Sequence, residues 1–318
     1  MKKKPTRLQS SQYILLLESF TQWLQLLNYS VFSIPALSGT VQSFLLYQEA
    51  TGKVMIEQLM AGDANDFMDL LQNKVSQRSG KPLSIGSINK HIQALKLFSR
   101  YIRETGRSST GFALQQLAET RKLPVWLTIA EVQQLYDVIE NDLLGIRDKA
   151  MLAVYYGCGL RLNEGACVEI KDIDTTKKLL HVRKGKGYKE RFVPIAEKNF
   201  EEIKLYLDYA RPQLIQEQKH TYIFADASKG RAMNKQSLYI RIKKLVKKAK
   251  LAKQAGTHTL RHSIATHLLQ SGMKLERIKE FLGHAHLDST QIYTHIAAGG
   301  AVGSTPLPMR WKIKIIAP

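Results

Sequence analysis

Residues 256–272 read GTHTLRHSIATHLLQSG, and the interpretation of the whole chain starts from this stretch. Its apolar spacing predicts a helix over 258–270, and Ser271-Gly272 is a typical signal for a helix C-terminus. His258 and Arg261 stand three residues apart at the start of that helix. A guanidinium fork suits phosphate oxygens, and an imidazole can accept or donate a proton, so this segment predicts phosphate chemistry.

Four more residues extend the pattern along the chain. Arg161 lies upstream in GCGLRLNEG, and Lys186 lies in the turn-like KGKGYKE. Downstream, His284 follows 23 residues after Arg261, in FLGHAH, and Tyr293 follows 9 residues later, in STQIYTHI. The order and spacing of these residues are more specific than their types.

Together the six side chains fit attack on a phosphodiester without a metal. A tyrosine oxygen can displace a sugar hydroxyl and hold the phosphate covalently. Two guanidiniums suit the negative charge that gathers on the non-bridging oxygens, and a lysine ammonium can protonate the leaving hydroxyl. An isolated phenol has a pKa of about 10, so Tyr293 needs such a cationic pocket to act as a nucleophile.

With these residues in view, the chain resembles the tyrosine recombinase (phage integrase) family, and most closely its simple Xer-type members. The segments that carry the resemblance are GLRLNE, GKGYKER, HTLRHSIATHLL and LGHAHLDSTQIYTH. The similarity is strong over 124–296 and weak over 11–112.

The resemblance implies an architecture. It is a mainly α fold with a small antiparallel β-sheet, in two domains: an N-terminal SAM-like helical core-binding domain and an α+β catalytic domain. The corresponding ranges are 1–112 for the DNA-binding domain, 113–127 for a linker, 128–296 for the catalytic domain and 297–318 for a tail. No room is expected for the extra arm-binding domain of lambda-type integrases. The tail is atypical, because its glycines and prolines oppose a continuous helix.

The resemblance also assigns roles. Tyr293 is the nucleophile and Lys186 the general acid, with Lys184 as the rival lysine. Arg161 and Arg261 contact the phosphate, and His284 donates a hydrogen bond to it. His258 is the general base or a further phosphate contact. Glu164 orients Arg161, although a surface ion pair is an equally good interpretation of this residue.

The charge of the chain predicts a polyanionic partner. There are 47 Lys+Arg against 27 Asp+Glu, a formal net charge of +20, and residues 171–253 alone hold 22 basic and 9 acidic side chains. We expect double-stranded DNA with a short inverted-repeat core site, bound by a homo-tetramer or by a hetero-tetramer with a second recombinase. The residues predicted to contact DNA are Lys90, Arg100, Lys184, Lys189, Arg191, Arg241, Lys244, Lys247 and Lys248.

No apolar run reaches 18 residues, so no membrane span is expected. Cys158 and Cys167 need no disulfide, which fits a cytoplasmic location. We expect no cofactor and no metal. His258 and His262, four residues apart, could chelate a metal on a helix, but no Cys or acidic ligand is interleaved with them.

Two other functions stay open at this point. A type IB topoisomerase shares the chemistry but rotates one strand instead of exchanging it. A non-catalytic DNA-binding protein could keep the fold, although all six catalytic positions are filled in this sequence.

The coarse pattern of helices and strands is also predictable. Amphipathic helices are expected over 11–28 and 84–104, after Asp63, and over 128–140, 146–157, 197–210, 235–252 and 274–282. Apolar residues on both sides of the Gly-Lys-Gly turn, from Leu179 to Ile195, predict a β-hairpin. Thr128 and Glu131 predict a helix-capping box, and Asp288 with Gln291 resembles another before Tyr293.

Overall fold

The computed structural model describes residues 7–75, 80–109, 111–119, 124–183, 190–216, 218–226 and 228–284. These residues form α-helices and one small antiparallel sheet, so the predicted fold class is confirmed. The chain divides into two compact units, Met1–Arg121 and Lys122–Pro318.

The described part of the first unit is helical. Its α-helices are α1 (Ser11–Leu26), α2 (Ile34–Ala50), α3 (Asp63–Gln72) and α4 (Ile85–Glu104), with a 3-10 turn at Ile56–Gln58. Serine side chains start α1 and α4: Ser10 accepts from the amide of Tyr13, and Ser84 accepts from the amide of Ser87. Both serines satisfy amides that a helix N-terminus leaves without a partner.

Aromatic rings meet in the core of this unit, among aliphatic side chains. The rings of Phe20 and Phe98 meet edge to face with centroids 5.5 Å apart, and Phe44 meets Phe112 in the same way at 5.4 Å. On α1 the buried face consists of Tyr13, Leu16, Phe20 and Leu24. Ile14 and Leu27 are apolar residues of the same region but are exposed, because the face with Tyr13 and Phe20 is the one that packs.

The second unit contains the remaining helices. They are α5 (Ile129–Asp137), α6 (Leu143–Leu152), α7 (Leu162–Ala166), α8 (Glu197–Leu205), α9 (Arg211–Ile215), α10 (Lys235–Lys248), α11 (Thr257–Gln270) and α12 (Leu275–Leu282). The capping box of α5 is confirmed: the amide of Thr128 donates to Glu131 at 2.7 Å, and the amide of Glu131 donates to the Thr128 hydroxyl at 3.2 Å.

Several helix boundaries differ from the predictions. Helix α6 starts earlier than expected, because the Asp142 side chain accepts from the amide of Gly145 at 2.6 Å, and it continues as a π-helical turn at Ala153–Gly157. A second π-helical turn, Tyr206–Ala210, joins α8 to α9. Helix α10 stops at Lys248, since Lys250 adopts a positive φ of 52°.

The sheet of the second unit has the order β1-β2-β3, and both pairs are antiparallel. Its strands are β1 (Ile173–Asp174), β2 (Leu179–Val182) and β3 (Arg191–Pro194). The predicted hairpin is confirmed as β2 and β3, and Val182 pairs with Arg191 at the end next to residues 184–189. Strand β1 was missed because two residues are too few to show an alternating pattern.

Within the described ranges, none of the helices combines the length with the apolar character that a membrane span requires.

Candidate active site

Arg161 owes its position to the break that follows α6. The π-helical turn ends at Gly157, and Gly159 adopts a φ of +62°. A Cβ at Gly159 would lie 3.0 Å from Leu282 Cδ2 and 3.1 Å from a ring atom of Phe281, so only glycine lets the chain approach α12 this closely. Arg161 then forms the N-cap of α7.

Glu164 lies at the centre of the site. Its Oε1 accepts from Nη1 of Arg161 at 2.7 Å, and its Oε2 accepts from the Arg161 backbone amide at 2.9 Å. Arg191 approaches the same carboxylate with two nitrogens, at 3.3 and 3.0 Å. The Glu164 side chain is 3% exposed, so the surface ion-pair interpretation is wrong. Burial opposes ionisation, but the hydrogen bonds and charges of Arg191 and Arg161 outweigh it and lower the pKa of Glu164 to about 2.

Arg261 reaches this cluster from α11. Its Nη1 donates to the carbonyl oxygen of Gly159 at 2.7 Å, and its Nη2 donates to that of Leu282 at 2.6 Å. Nη1 also lies 3.7 Å from Oε2 of Glu164, and the side chain is 4% exposed. Among the described residues, three guanidiniums therefore surround one buried carboxylate, Glu164.

The end of α12 holds all three guanidiniums. Three consecutive carbonyl oxygens accept from one arginine each: Phe281 from Arg191 at 3.0 Å, Leu282 from Arg261 at 2.6 Å, and Gly283 from Arg161 at 3.3 Å. Gly283 adopts the left-handed conformation that commonly ends a helix. The partial negative charge of a helix C-terminus favours cations at this position.

His284 follows directly after these carbonyls. Burial lowers its pKa to about 3, and the positive charges of Arg261 and Arg161 act in the same direction. His284 is therefore neutral near pH 7, with one ring nitrogen able to donate a hydrogen bond and the other able to accept one.

The two histidines on α11 differ in their environment. His258 is exposed in the first turn of the helix. Burial, together with the charges of His258 and Arg261, lowers the pKa of His262 to about 4. Among the described residues, no group of three or more His, Cys, Asp or Glu side chains is arranged to hold a metal ion.

The structure thus brings together four of the predicted catalytic and supporting residues: Arg161, Glu164, Arg261 and His284. Lys186, its rival Lys184, Lys189 and Tyr293 lie outside the described residues, as do the Asp288–Gln291 pair and the tail 297–318.

Arg191 was predicted to contact DNA, and its place in the cluster was missed. Alternation along β3 could have indicated this position. Phe192 is 63% exposed and Val193 is buried, so Arg191 and Val193 share the inward face of the strand.

The other predicted DNA contacts are divided between the two units. Lys90 and Arg100 are exposed on α4, and Lys244, Lys247 and Lys248 are exposed on α10. Arg241 is instead bound to Asp148, with its Nε 2.7 and 2.9 Å from the two carboxylate oxygens. Asp148 is 1% exposed, so Arg241 has a structural partner that the sequence did not suggest.

Comparison with known proteins gives a consistent result. Residues 125–299 match the model of the phage integrase family. The chain is 32% identical over 286 residues to tyrosine recombinase XerC of Anoxybacillus flavithermus, covering 88% of this chain and 92% of that protein. It is 35% identical over 213 residues to tyrosine recombinase XerD of Halalkalibacterium halodurans, covering 66% and 71%.

The fold is also similar to that of a solved structure, the XerH site-specific recombinase bound to a palindromic difH substrate in a post-cleavage complex. The TM-score is 0.68 at 21% identity, over 91% of this chain and 88% of that one. The chain belongs to the phage integrase family. Its relatives XerC and XerD are tyrosine recombinases, and the resemblance seen in the sequence is confirmed.

Proposed function

We propose that this chain is a site-specific DNA recombinase that cuts and rejoins strands through a covalent bond to Tyr293. The observation that carries the proposal is the meeting of Arg161 and Arg261 around buried Glu164, directly beside His284. A guanidinium has five N–H donors, so it can be held by a carboxylate and a carbonyl and still donate to a phosphate oxygen.

The proposed reaction is a pair of transesterifications. The phenol oxygen of Tyr293 forms a bond to the scissile phosphorus while the bond from phosphorus to the 5′ oxygen breaks, which leaves a 3′-phosphotyrosyl link. His258 accepts the proton that the phenol loses in this step. Lys186 donates the proton that the departing 5′-hydroxyl requires. A 5′-hydroxyl from a partner strand then attacks the phosphotyrosine and releases Tyr293. The phosphodiester bond energy is kept throughout, so the reaction consumes no ATP.

Electrostatics explain the role of the arginine cluster, which consists of Arg161, Arg191 and Arg261 around Glu164. A phosphodiester carries one negative charge, and its pentavalent transition state carries more. Preorganised guanidiniums stabilise that added charge without having to reorganise during the reaction. Glu164 and the three carbonyls at the end of α12 supply the preorganisation, because they fix Arg161 and Arg261 before DNA arrives. Neutral His284 adds a hydrogen bond to a phosphate oxygen.

The proposed substrate is duplex DNA with a short inverted repeat, bound by four recombinase subunits that bring two sites together. The exposed lysines of α10 and the basic residues of α4 contact phosphates in this proposal. Because such contacts release counterions, binding should weaken steeply as salt rises.

Capture of covalent protein–DNA adducts tests the proposal. The full chain is expressed in a bacterial host that carries its native flanking DNA. The protein is then denatured and purified, and the attached DNA ends are sequenced. We expect adducts at one short inverted-repeat site, and none with Tyr293→Phe. Tyr209→Phe is the matched control, because Tyr209 is an exposed tyrosine of the same unit, and it should form adducts as the unaltered protein does.

Other outcomes would count against the proposal. Adducts that persist in Tyr293→Phe would remove Tyr293 as the nucleophile. Tyr293-dependent adducts scattered along the DNA would indicate a topoisomerase, and their complete absence a non-catalytic binding protein.

A further inference from the structure

Residues 184–189, which include Lys186, are flanked by two arginines that make different contacts. Arg183 follows β2, and Arg191 begins β3. Pairing of Val182 with Arg191 brings the ends of β2 and β3 together, and residues 184–189 lie between these two ends in the chain. We call residues 184–189 the lysine segment.

Arg183 is held by groups outside the arginine cluster. Its Nε lies 2.7 Å from Oδ1 of Asp172, and its Nη2 lies 2.9 Å from Oε1 of Glu169. These contacts fix Arg183, the residue after β2, to the 3-10 turn at Ile170–Asp172 and to the residue before that turn.

Arg191 is held by the active site itself. Its guanidinium approaches both oxygens of Glu164, and its Nε donates to the carbonyl oxygen of Phe281. The Arg191 side chain is only 9% exposed, and a Cβ on Gly283 would lie 2.8 Å from its Nη1. Glu164 also binds Arg161, and the carbonyls after Phe281 bind Arg261 and Arg161, so one set of acceptors fixes Arg191 together with the two phosphate-binding arginines.

We infer that Arg191 is a positioning residue that sets the lysine segment, and with it Lys186, in register with the arginine cluster. The inference rests on the proposed function, in which Lys186 is the general acid. A general acid must come within hydrogen-bond distance of the leaving oxygen, so a small displacement of its strand lowers the rate of proton donation. Arg191 connects that strand to the groups that hold the phosphate.

A change of leaving group tests this inference. Two nicked DNA substrates are compared: one with the natural bridging 5′ oxygen and one with a 5′ bridging sulfur at the scissile phosphate. A thiol has a pKa near 8.5, far below that of an alcohol, so a thiolate leaves without a proton from a general acid. A defect confined to proton donation is therefore rescued by sulfur, whereas a defect in binding the phosphate is not.

We expect Arg191→Gln to slow cleavage of the oxygen substrate at least about 30-fold, since general acid–base catalysis contributes factors of about 10²–10⁴. With the sulfur substrate its rate should return to within about threefold of the unaltered protein. Arg191→Lys keeps a cation beside Glu164 but loses the fork, and should show the same pattern with about a 10-fold defect. If Arg191→Gln fails to fold, as judged by thermal unfolding, Arg191→Lys provides the test.

Three controls separate the possible results. Lys186→Ala should be rescued by sulfur, and if it is not, Lys186 is not the general acid and the proposed function fails on that point. Arg161→Gln should be slow on both substrates. Arg183→Gln should change either rate by less than about threefold, because its partners lie outside the cluster.

Two results would overturn the inference while leaving the proposed function intact. Equal loss on both substrates with Arg191→Gln would mean that it acts on phosphate binding. Defects of the same size and pattern with Arg183→Gln and Arg191→Gln would mean that any anchor of the hairpin suffices.

Discussion

The two units bury different kinds of side chain. In the first unit, the described buried residues are mainly aromatic and aliphatic, and Asp63 is the charged residue among them. Among the described residues of the second unit, three arginines are buried, Arg147, Arg211 and Arg261, together with acidic residues such as Asp148 and Glu164.

The difference reflects the two uses of buried charge in the second unit, one at the candidate active site and one in holding the fold together. Ionised groups lose much hydration when they are buried, so they persist only where partners compensate them. Part of the second unit's buried charge is the arginine cluster, which the proposed chemistry requires. Its other ion pairs, such as Arg241 with Asp148, have no direct part in that chemistry and hold helices together. The two kinds can be told apart by substitution.

The largest effect is expected for Glu164→Gln. This change removes the carboxylate that compensates three guanidiniums, and breaking such a buried pair costs about 3–5 kcal/mol. We expect the free energy of unfolding to fall by that amount and covalent adducts with DNA to be lost. Chemical denaturation and the adduct assay measure the two effects.

Asp63→Asn is the matched control in the first unit. Asp63 is also buried, but it pairs with one lysine, Lys53, whose side chain is 27% exposed. Its loss should cost about 1.5–3 kcal/mol, the range for a hydrogen bond to a charged group. Equal costs for the two variants would contradict the comparison between the units.

Arg241→Ala should have the next largest effect. It removes the fork that binds Asp148, while Nη2 of Arg147 remains 3.4 Å from the same carboxylate. We therefore expect a loss near the lower end of the range for buried pairs, about 3 kcal/mol. Denaturation in the absence of DNA measures it. A loss of DNA affinity with unchanged stability would restore the original prediction that Arg241 contacts DNA.

A third prediction concerns the stability of the fold at low pH. Burial lowers the pKa of His267 to about 4, and its Nδ1 lies 2.8 Å from the Tyr156 hydroxyl. In the unfolded chain the ordinary pKa of about 6.5 applies, so below that pH the unfolded state binds the proton more readily. Stability should therefore be constant above pH 6.5 and fall as the pH decreases toward 4.

At pH 5 the lowered pKa of His267 reduces the free energy of unfolding by about 2 kcal/mol, from the free energy equivalent of a pKa difference. His267→Phe should remove that part of the loss between pH 7 and pH 5, as followed by denaturation at each pH. His91→Phe is the control, because His91 is the single histidine of the first unit and is only half-buried there. If the two variants show the same dependence on pH, acid sensitivity does not belong to the second unit.

The sequence predicted most of the structural features that depend on residues close together in the chain. Thr128 and Glu131 stand three residues apart, and their capping box formed as expected. The resemblance to the phage integrase family supplied Arg161, Arg261 and His284 as one group, although their catalytic roles stay predictions.

Contacts between distant residues were not predictable in the same way. Arg191 meets the carbonyl of Phe281 across 90 positions, and Arg241 meets Asp148 across 93. Within a basic stretch of sequence, an arginine that binds DNA cannot be distinguished from an arginine that binds a buried carboxylate. Only the packing of α12 and α10 against their neighbours distinguishes them.

The smallest effect on stability is expected for Arg100→Ala in the first unit. Arg100 was predicted to contact DNA, as Arg241 was, but its ion pair with Glu104 on α4 is exposed on both sides. Surface pairs of this kind add little to stability, so the thermal midpoint should stay within the error of the measurement. DNA affinity should fall a few-fold, and the slope of log affinity against log salt should decrease by about one for a lost phosphate contact.

Glu104→Gln is the control: it removes the same ion pair but leaves the cation, so it should keep both affinity and slope. If Arg100→Ala lowers the midpoint but leaves DNA binding unchanged, Arg100 belongs with Arg241 as a structural residue, and exposure alone does not identify the DNA-binding arginines.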